Sequence, residues 1–123
     1  SYNANPASMR AAPATLASEN VTGRRIAVLG AMRELGEDSD DYHIALAGPI
    51  QAAGIDCAVL VGEEMEPLAK ALGPIAKMTH VPDAASAIDA LRGRIRPGDA
   101  VVVKGSNAIG LAALVEALAS GKS

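Results

Sequence analysis

The chain has 123 residues, half of them hydrophobic, with a formal net charge of −3 and only two aromatic side chains, Tyr2 and Tyr42. That length suits one domain able to bury a core. The acidic balance and the scattered Lys and Arg exclude a nucleic-acid footprint and a polybasic membrane patch. The single cysteine, Cys57, cannot form an internal disulfide, and no Cys or His shows metal-ligand spacing. No apolar run is long enough to span a bilayer and no signal sequence is present, so a cytoplasmic setting is expected. The opening residue is Ser1, followed by a polar turn, and the expectation is a piece of a longer protein. Without Phe or Trp, the core must be built from Ala, Val, Leu and Ile, which suits short strands covered by alanine-rich helices.

In chain order, Ala7 to Ala17 reads as a helix with Asn5 at its N-cap and Pro6 at its first position, where proline costs least. Pro13 predicts a kink or an early end. RRIAVLG, Arg24 to Gly30, is a buried strand. Residues 39 to 53 predict one helix capped by Ser39, with acids in its first turn to suit the macrodipole, ending at Gly54. Cys57 to Val61 is a second strand, followed by a helix from about Met65 to Leu72. Lys77 to Val81 reads as a short third strand, and Pro82-Asp83 opens a helix to about Arg94. The turn RPGD leads into a fourth strand, Ala100 to Lys104. Ile109 to Ala119 is the closing helix.

Strand and helix alternating at this spacing predict right-handed crossovers and a Rossmann-like, doubly wound, mainly parallel α/β sheet with helices on both faces. Such sheets bind ligands beyond the carboxyl ends of their strands, where the strand order reverses. Four loops qualify: Gly30 to Gly36, Val61 to Glu64, Pro82 to Asp83 and Lys104 to Asn107. The first and last follow the strands expected to flank the reversal.

The first of these, GAMRELGED, lacks the G-x-G-x-x-G fingerprint of dinucleotide binding. It offers Arg33 and Glu34 as charged candidates, or is simply a turn closed by glycines. In KGSNAIG, Lys104 supplies charge, Ser106 a hydroxyl and the following helix start its free N–H groups, a suitable set for an anion or carboxylate. Gly105 and Gly110 have the glycine spacing of a P-loop, but Leu111 and Ala112 stand where Lys and Ser/Thr are required, so the chain has no Walker A motif. His43, one helical turn from Ser39, could orient a loop or meet a carboxylate, or be an ordinary surface histidine; His80 is weaker still. Cys57 reads as a small core residue. No Ser-His-Asp set or carboxylate pair is present, so the residues alone give a binding domain with two candidate loops and no catalytic residue.

Three stretches carry a resemblance: YNANPASM (Tyr2 to Met9), VLGAMRELGEDSDDYH (Val28 to His43) and GDAVVVKGSNAIGLAALVEAL (Gly98 to Leu118). In this order and spacing, over nearly the whole chain, they resemble the C-terminal domain of the Mur ligases that add D-Ala-D-Ala to UDP-MurNAc-tripeptide in peptidoglycan synthesis. YNANP and the ELG-plus-His stretch are the discriminating parts. The pattern departs at Ala31, where the family usually has an acid, and at Asn107, where it often has arginine. The resemblance implies an ATP- and Mg2+-dependent amide ligase working through an acyl phosphate. Its P-loop, metal ligands and UDP site would lie in two other domains, so this chain alone would hold no cofactor and catalyse nothing. It implies that Tyr2, Asn3, Asn5 and Ser8 lie near the interdomain hinge and the ATP. Lys104, Gly105, Ser106 and Asn107, with the loop holding Glu34, would line the D-Ala-D-Ala. No metal site, nucleic acid or membrane insertion is implied, and a monomer is expected. Two other readings stay open: a domain of a folylpolyglutamate or cyanophycin synthetase relative, or a free-standing Rossmann-like binding module.

Overall fold

The computed structural model describes residues 6–18, 22–32, 36–73, 77–92, 95–96 and 98–105. In order the elements are α1 (Pro6–Ala17), β1 (Arg25–Gly30), α2 (Ser39–Ile44), α3 (Ala47–Ala52), β2 (Cys57–Val61), α4 (Glu66–Leu72), β3 (Met78–Val81), α5 (Ala84–Leu91) and β4 (Ala100–Lys104). Single 3₁₀ turns at Gly36–Asp38 and Glu63–Met65 lead into α2 and α4. The closing helix expected over 109–119 lies outside the described residues.

All strand pairs are parallel, and the order is β3-β2-β1-β4. The chain therefore steps outward from β1 to β2 to β3 and then returns to place β4 on the other side of β1. The two-residue strand period divides the apolar side chains between two cores. Ala27, Leu29, Ala58 and Leu60 face Met9 and Leu16 of α1, Ile50 of α3, and Leu68 and Leu72 of α4. Ile26, Val28 and Val59 face Ala87 and Leu91 of α5, with Ile95. Both outward crossovers thus share one face and the returning one takes the other, as right-handed connections require. Three methionines, Met9, Met32 and Met65, are also fully buried or nearly so. The core is therefore not aliphatic alone: unbranched thioethers fill irregular space in a chain without Phe or Trp.

The expected 39–53 helix is two helices. Leu46 donates to the His43 carbonyl instead of continuing the α-helical ladder, and Pro49 sits in the first turn of α3. A proline there has no N–H to give the Ala45 carbonyl, so a continuous helix would lose a bond and meet the ring. Ser39 is the first residue of α2 rather than its cap; Asp38 precedes it without a side-chain cap bond. Pro13, in contrast, neither ends nor splits α1. Burial of Ala12, Pro13 and Leu16 on that side offsets the missing bond. α5 begins as expected, with the Asp83 carboxylate accepting the Ser86 N–H at 2.8 Å; its helical residues stop at Leu91, short of Arg94.

Asp99 closes the amino end of the sheet. It accepts the N–H of Arg24 at 2.8 Å and of Arg96 at 3.0 Å, with the Arg24 guanidinium 3.6 Å away. The Arg24 N–H is the main cause that holds its carboxyl below the usual carboxylate range, outweighing its burial.

Candidate functional site

The strand order fixes where a site can lie. β1 and β4 are neighbours at the point where the chain's direction across the sheet reverses, so their carboxyl ends flank the switch point. The expectation that the first and last loops flank it is met. Leu29 pairs with Lys104 in the register, which brings Gly30 and Gly105 side by side beyond the last pair. The two glycine backbones touch: a Cβ on Gly105 would lie 2.6 Å from the Gly30 Cα, and Gly105 has φ +145°. Gly105 must lack a side chain for that approach, whereas a Cβ on Gly30 would meet the Gly105 Cα at an ordinary 3.5 Å.

Lys104 is half-buried at this edge. It shares its sheet face with Leu29, its register partner, and hence with α1. Among the described residues no carboxylate lies within ion-pair distance of it. The far end of α1 is fixed by the Leu16 carbonyl, which accepts Arg25 Nε at 3.2 Å at the start of β1. A helix of twelve residues spans about 18 Å, which returns its first turn, containing Ser8, to the carboxyl edge where Lys104 stands. Two of the sequence-predicted groups, Ser8 and Lys104-Gly105, therefore share one end of the sheet. Tyr2, Asn3, Asn5, Glu34, Ser106 and Asn107 lie outside the described residues.

Two histidines tie the strand exits. His43 is fully buried. Its Nδ1 lies 2.7 Å from the Ser39 carbonyl, and its Nε2 accepts the Met32 N–H at 3.0 Å. The reading of His43 as a loop-orienting residue holds, but it is not a surface side chain. His80 Nε2–H donates to the Gly62 carbonyl at 2.7 Å, fastening the end of β3 to the exit of β2. The i,i+4 spacing of Ser39 and His43 was visible in the sequence; the partner N–H of Met32 was not. At the exit of β2, α2 and α4 border a groove of about 710 Å³. It is bordered by Asp40, Ile44, Glu63, Glu64 and Pro67, so the expected Val61–Glu64 loop forms its rim. Among the described residues no group of three or more His, Cys, Asp and Glu could hold a metal ion. No described helix is long and apolar enough to cross a membrane.

The arrangement presents a cation and a close backbone turn at a strand-order reversal, which suits a small anionic ligand. Known proteins agree with this architecture. The family model "Mur ligase, glutamate ligase domain" matches residues 1–107. UDP-N-acetylmuramoyl-tripeptide–D-alanyl-D-alanine ligase of Mycobacterium leprae is 36% identical over 95% of the chain, which covers 26% of that relative. The Escherichia coli ligase of the same name is 35% identical over 96% of the chain and 25% of its own length. Among solved structures, MurF from Acinetobacter baumannii superposes with a TM-score of 0.75 at 27% identity, over 94% of this chain and 26% of that one. MurF from Thermotoga maritima, in complex with ADP, gives 0.69 at 25% identity, over 99% and 27%. The chain spans about a quarter of the length of the curated relatives it matches. Its sequence and its all-parallel sheet together make it a member of the Mur ligase family, in the glutamate ligase domain that these enzymes share.

Proposed function

We propose that this chain is the substrate-closing domain of an ATP-dependent amide ligase that adds D-Ala-D-Ala to UDP-MurNAc-tripeptide. The observation that carries the reading is the 36% identity to ligases of that name over 95% of the chain. Support comes from Lys104 and Gly105, which the resemblance assigns to the dipeptide and which lie at the switch point of the sheet. Lys104 supplies the positive charge that a dipeptide carboxylate needs, and the turn after it supplies backbone N–H donors. Ser106, Asn107 and Glu34 complete that site under this reading. Tyr2, Asn3, Asn5 and Ser8 contact the nucleotide from the hinge side with uncharged donors.

The acyl phosphate and the magnesium ion belong to the remainder of the ligase, and this domain is inactive alone. Its work is to bring the dipeptide amine to the activated carboxyl group and to exclude water from a group that hydrolyses readily. Under this reading the ligase works in the cytoplasm as a monomer.

The gene that encodes the chain provides the first check, since a domain of about 200 residues with a G-x-x-G-K-[ST] loop should precede Ser1. Kinetics of that full-length protein then test the site. Lys104→Ala and Ser106→Ala should each raise the dipeptide KM by about tenfold or more, the loss expected for one charge-assisted hydrogen bond. An unchanged dipeptide KM removes both residues from the site. A start codon immediately before Ser1 overturns the ligase reading in favour of a free-standing binding module.

A further inference from the structure

His43 is the one polar or charged residue among the described residues that is buried as a whole, with no exposed surface. A histidine in that position loses its hydration, a cost that an aliphatic residue would not incur, and it is tolerated only because both ring nitrogens are satisfied. The partners fix the tautomer. A carbonyl can only accept, so Nδ1 carries the hydrogen and donates to Ser39, 2.7 Å away. Nε2 is then a bare acceptor, filled by the Met32 N–H at 3.0 Å.

Met32 lies two residues beyond the end of β1, past its last sheet pairing. The β1 exit is consequently held at both ends, by Gly30 against Gly105 and by Met32 on the imidazole. Between them, Ala31 neighbours the β2 exit, its Cβ 3.8 Å from where a Cβ on Gly62 would sit. Nothing in the β-sheet ladder itself orients Met32; the imidazole does.

We propose that His43 is a positioning residue for the dipeptide. By gripping the Met32 N–H it sets the β1 exit against which the Lys104–Gly105 turn packs, and so sets where the Lys104 ammonium meets the ligand. The proposal rests on the reading of Lys104 and Gly105 as the dipeptide site.

The test uses the full-length ligase with His43→Gln, His43→Asn and His43→Leu. A glutamine carbonyl reaches the place of Nε2 and can accept from Met32; an asparagine amide reaches only the place of Nδ1 and can satisfy Ser39 alone. The Asn and Leu variants should raise the dipeptide KM by about tenfold while the KM values for ATP and UDP-MurNAc-tripeptide change by less than about twofold. Gln should bring the dipeptide KM back to within about threefold of the parent value. A merely structural histidine predicts lower thermal midpoints and a lower active fraction, with all three KM values unmoved. That result, or Gln faring no better than Asn, overturns the proposal. If the Leu variant does not fold, the comparison of Gln with Asn decides. A parent enzyme that ligates no D-Ala-D-Ala overturns the functional reading, and the positioning role with it. A working parent with an unaltered substrate split overturns the positioning role alone.

Discussion

At the scale of single residues, the Gly30–Gly105 contact makes the sharpest demand on the sequence. A Cβ on Gly105 would lie 2.6 Å from Cα, 2.7 Å from N and 2.8 Å from C of Gly30, all backbone atoms that cannot swing aside. The φ of +145° adds strain for any L side chain. Gly105→Ala should therefore destabilise the protein by about 2 kcal/mol or more, forcing β1 and β4 apart at the carboxyl edge. Gly48 is the control: it lies inside α3, and a Cβ there would meet nothing within 4 Å. Gly48→Ala should stabilise by about 0.5–1 kcal/mol, the difference in helix propensity. Urea unfolding midpoints of the two variants should move in opposite directions; a neutral Gly105→Ala would refute the contact. The sequence marked K-G-S after the fourth strand as a candidate loop, but not the reason for its glycine. That reason is a neighbour 75 residues away, and it exists only once β4 pairs beside β1.

At the scale of elements, local chemistry was legible where it is local. The bounds of the second and fourth strands follow from short apolar runs between turn residues, and the start of α5 follows from Pro82-Asp83. What escaped was the outcome of proline inside an apparently continuous period. Pro49 splits a predicted helix and Pro13 does not, although both have buried neighbours, Leu46 and Ile50 against Ala12 and Leu16; periodicity does not report that difference. The turn before β4 shows the same division. RPGD reads as a turn, yet Asp99 proves to be a clamp between strands through its bonds to Arg24 and Arg96, with a side chain only 5% exposed. Its folded-state pKa is lowered from the ordinary 3.8. Its contribution is thus complete above that ordinary value and is lost as pH falls through the lower, folded-state one. Asp99→Asn should cost about 1–3 kcal/mol near neutral pH, where a charged acceptor of two N–H groups becomes a neutral one. The gap between parent and variant in urea unfolding should narrow as the pH drops from about 4 toward 2, because protonation then weakens the parent in the same way. A gap of equal size across that range would assign the cost to packing instead of charge.

At the scale of the whole molecule, the parallel sheet places every strand exit at one edge. The described residues include no metal-binding group of three or more carboxylate, Cys or His side chains. The sequence has no Walker A motif: neither KGSNAIG nor the terminal GKS satisfies it. A lysine and a backbone turn can orient an anion, but neither can activate a carboxyl group, which needs a phosphoryl donor held in line with its acceptor. The division of labour is therefore expected to be complete. The 123-residue chain should fold, because helices pack on both faces of its sheet around two apolar cores. It should nevertheless show no ATP hydrolysis and no dipeptide ligation, however much nucleotide and magnesium are supplied. Phosphate release and ligation are measured on the purified chain beside the full-length ligase, with circular dichroism on both to establish folding. Turnover by the folded chain alone, sensitive to Lys104→Ala, would move catalysis into this domain.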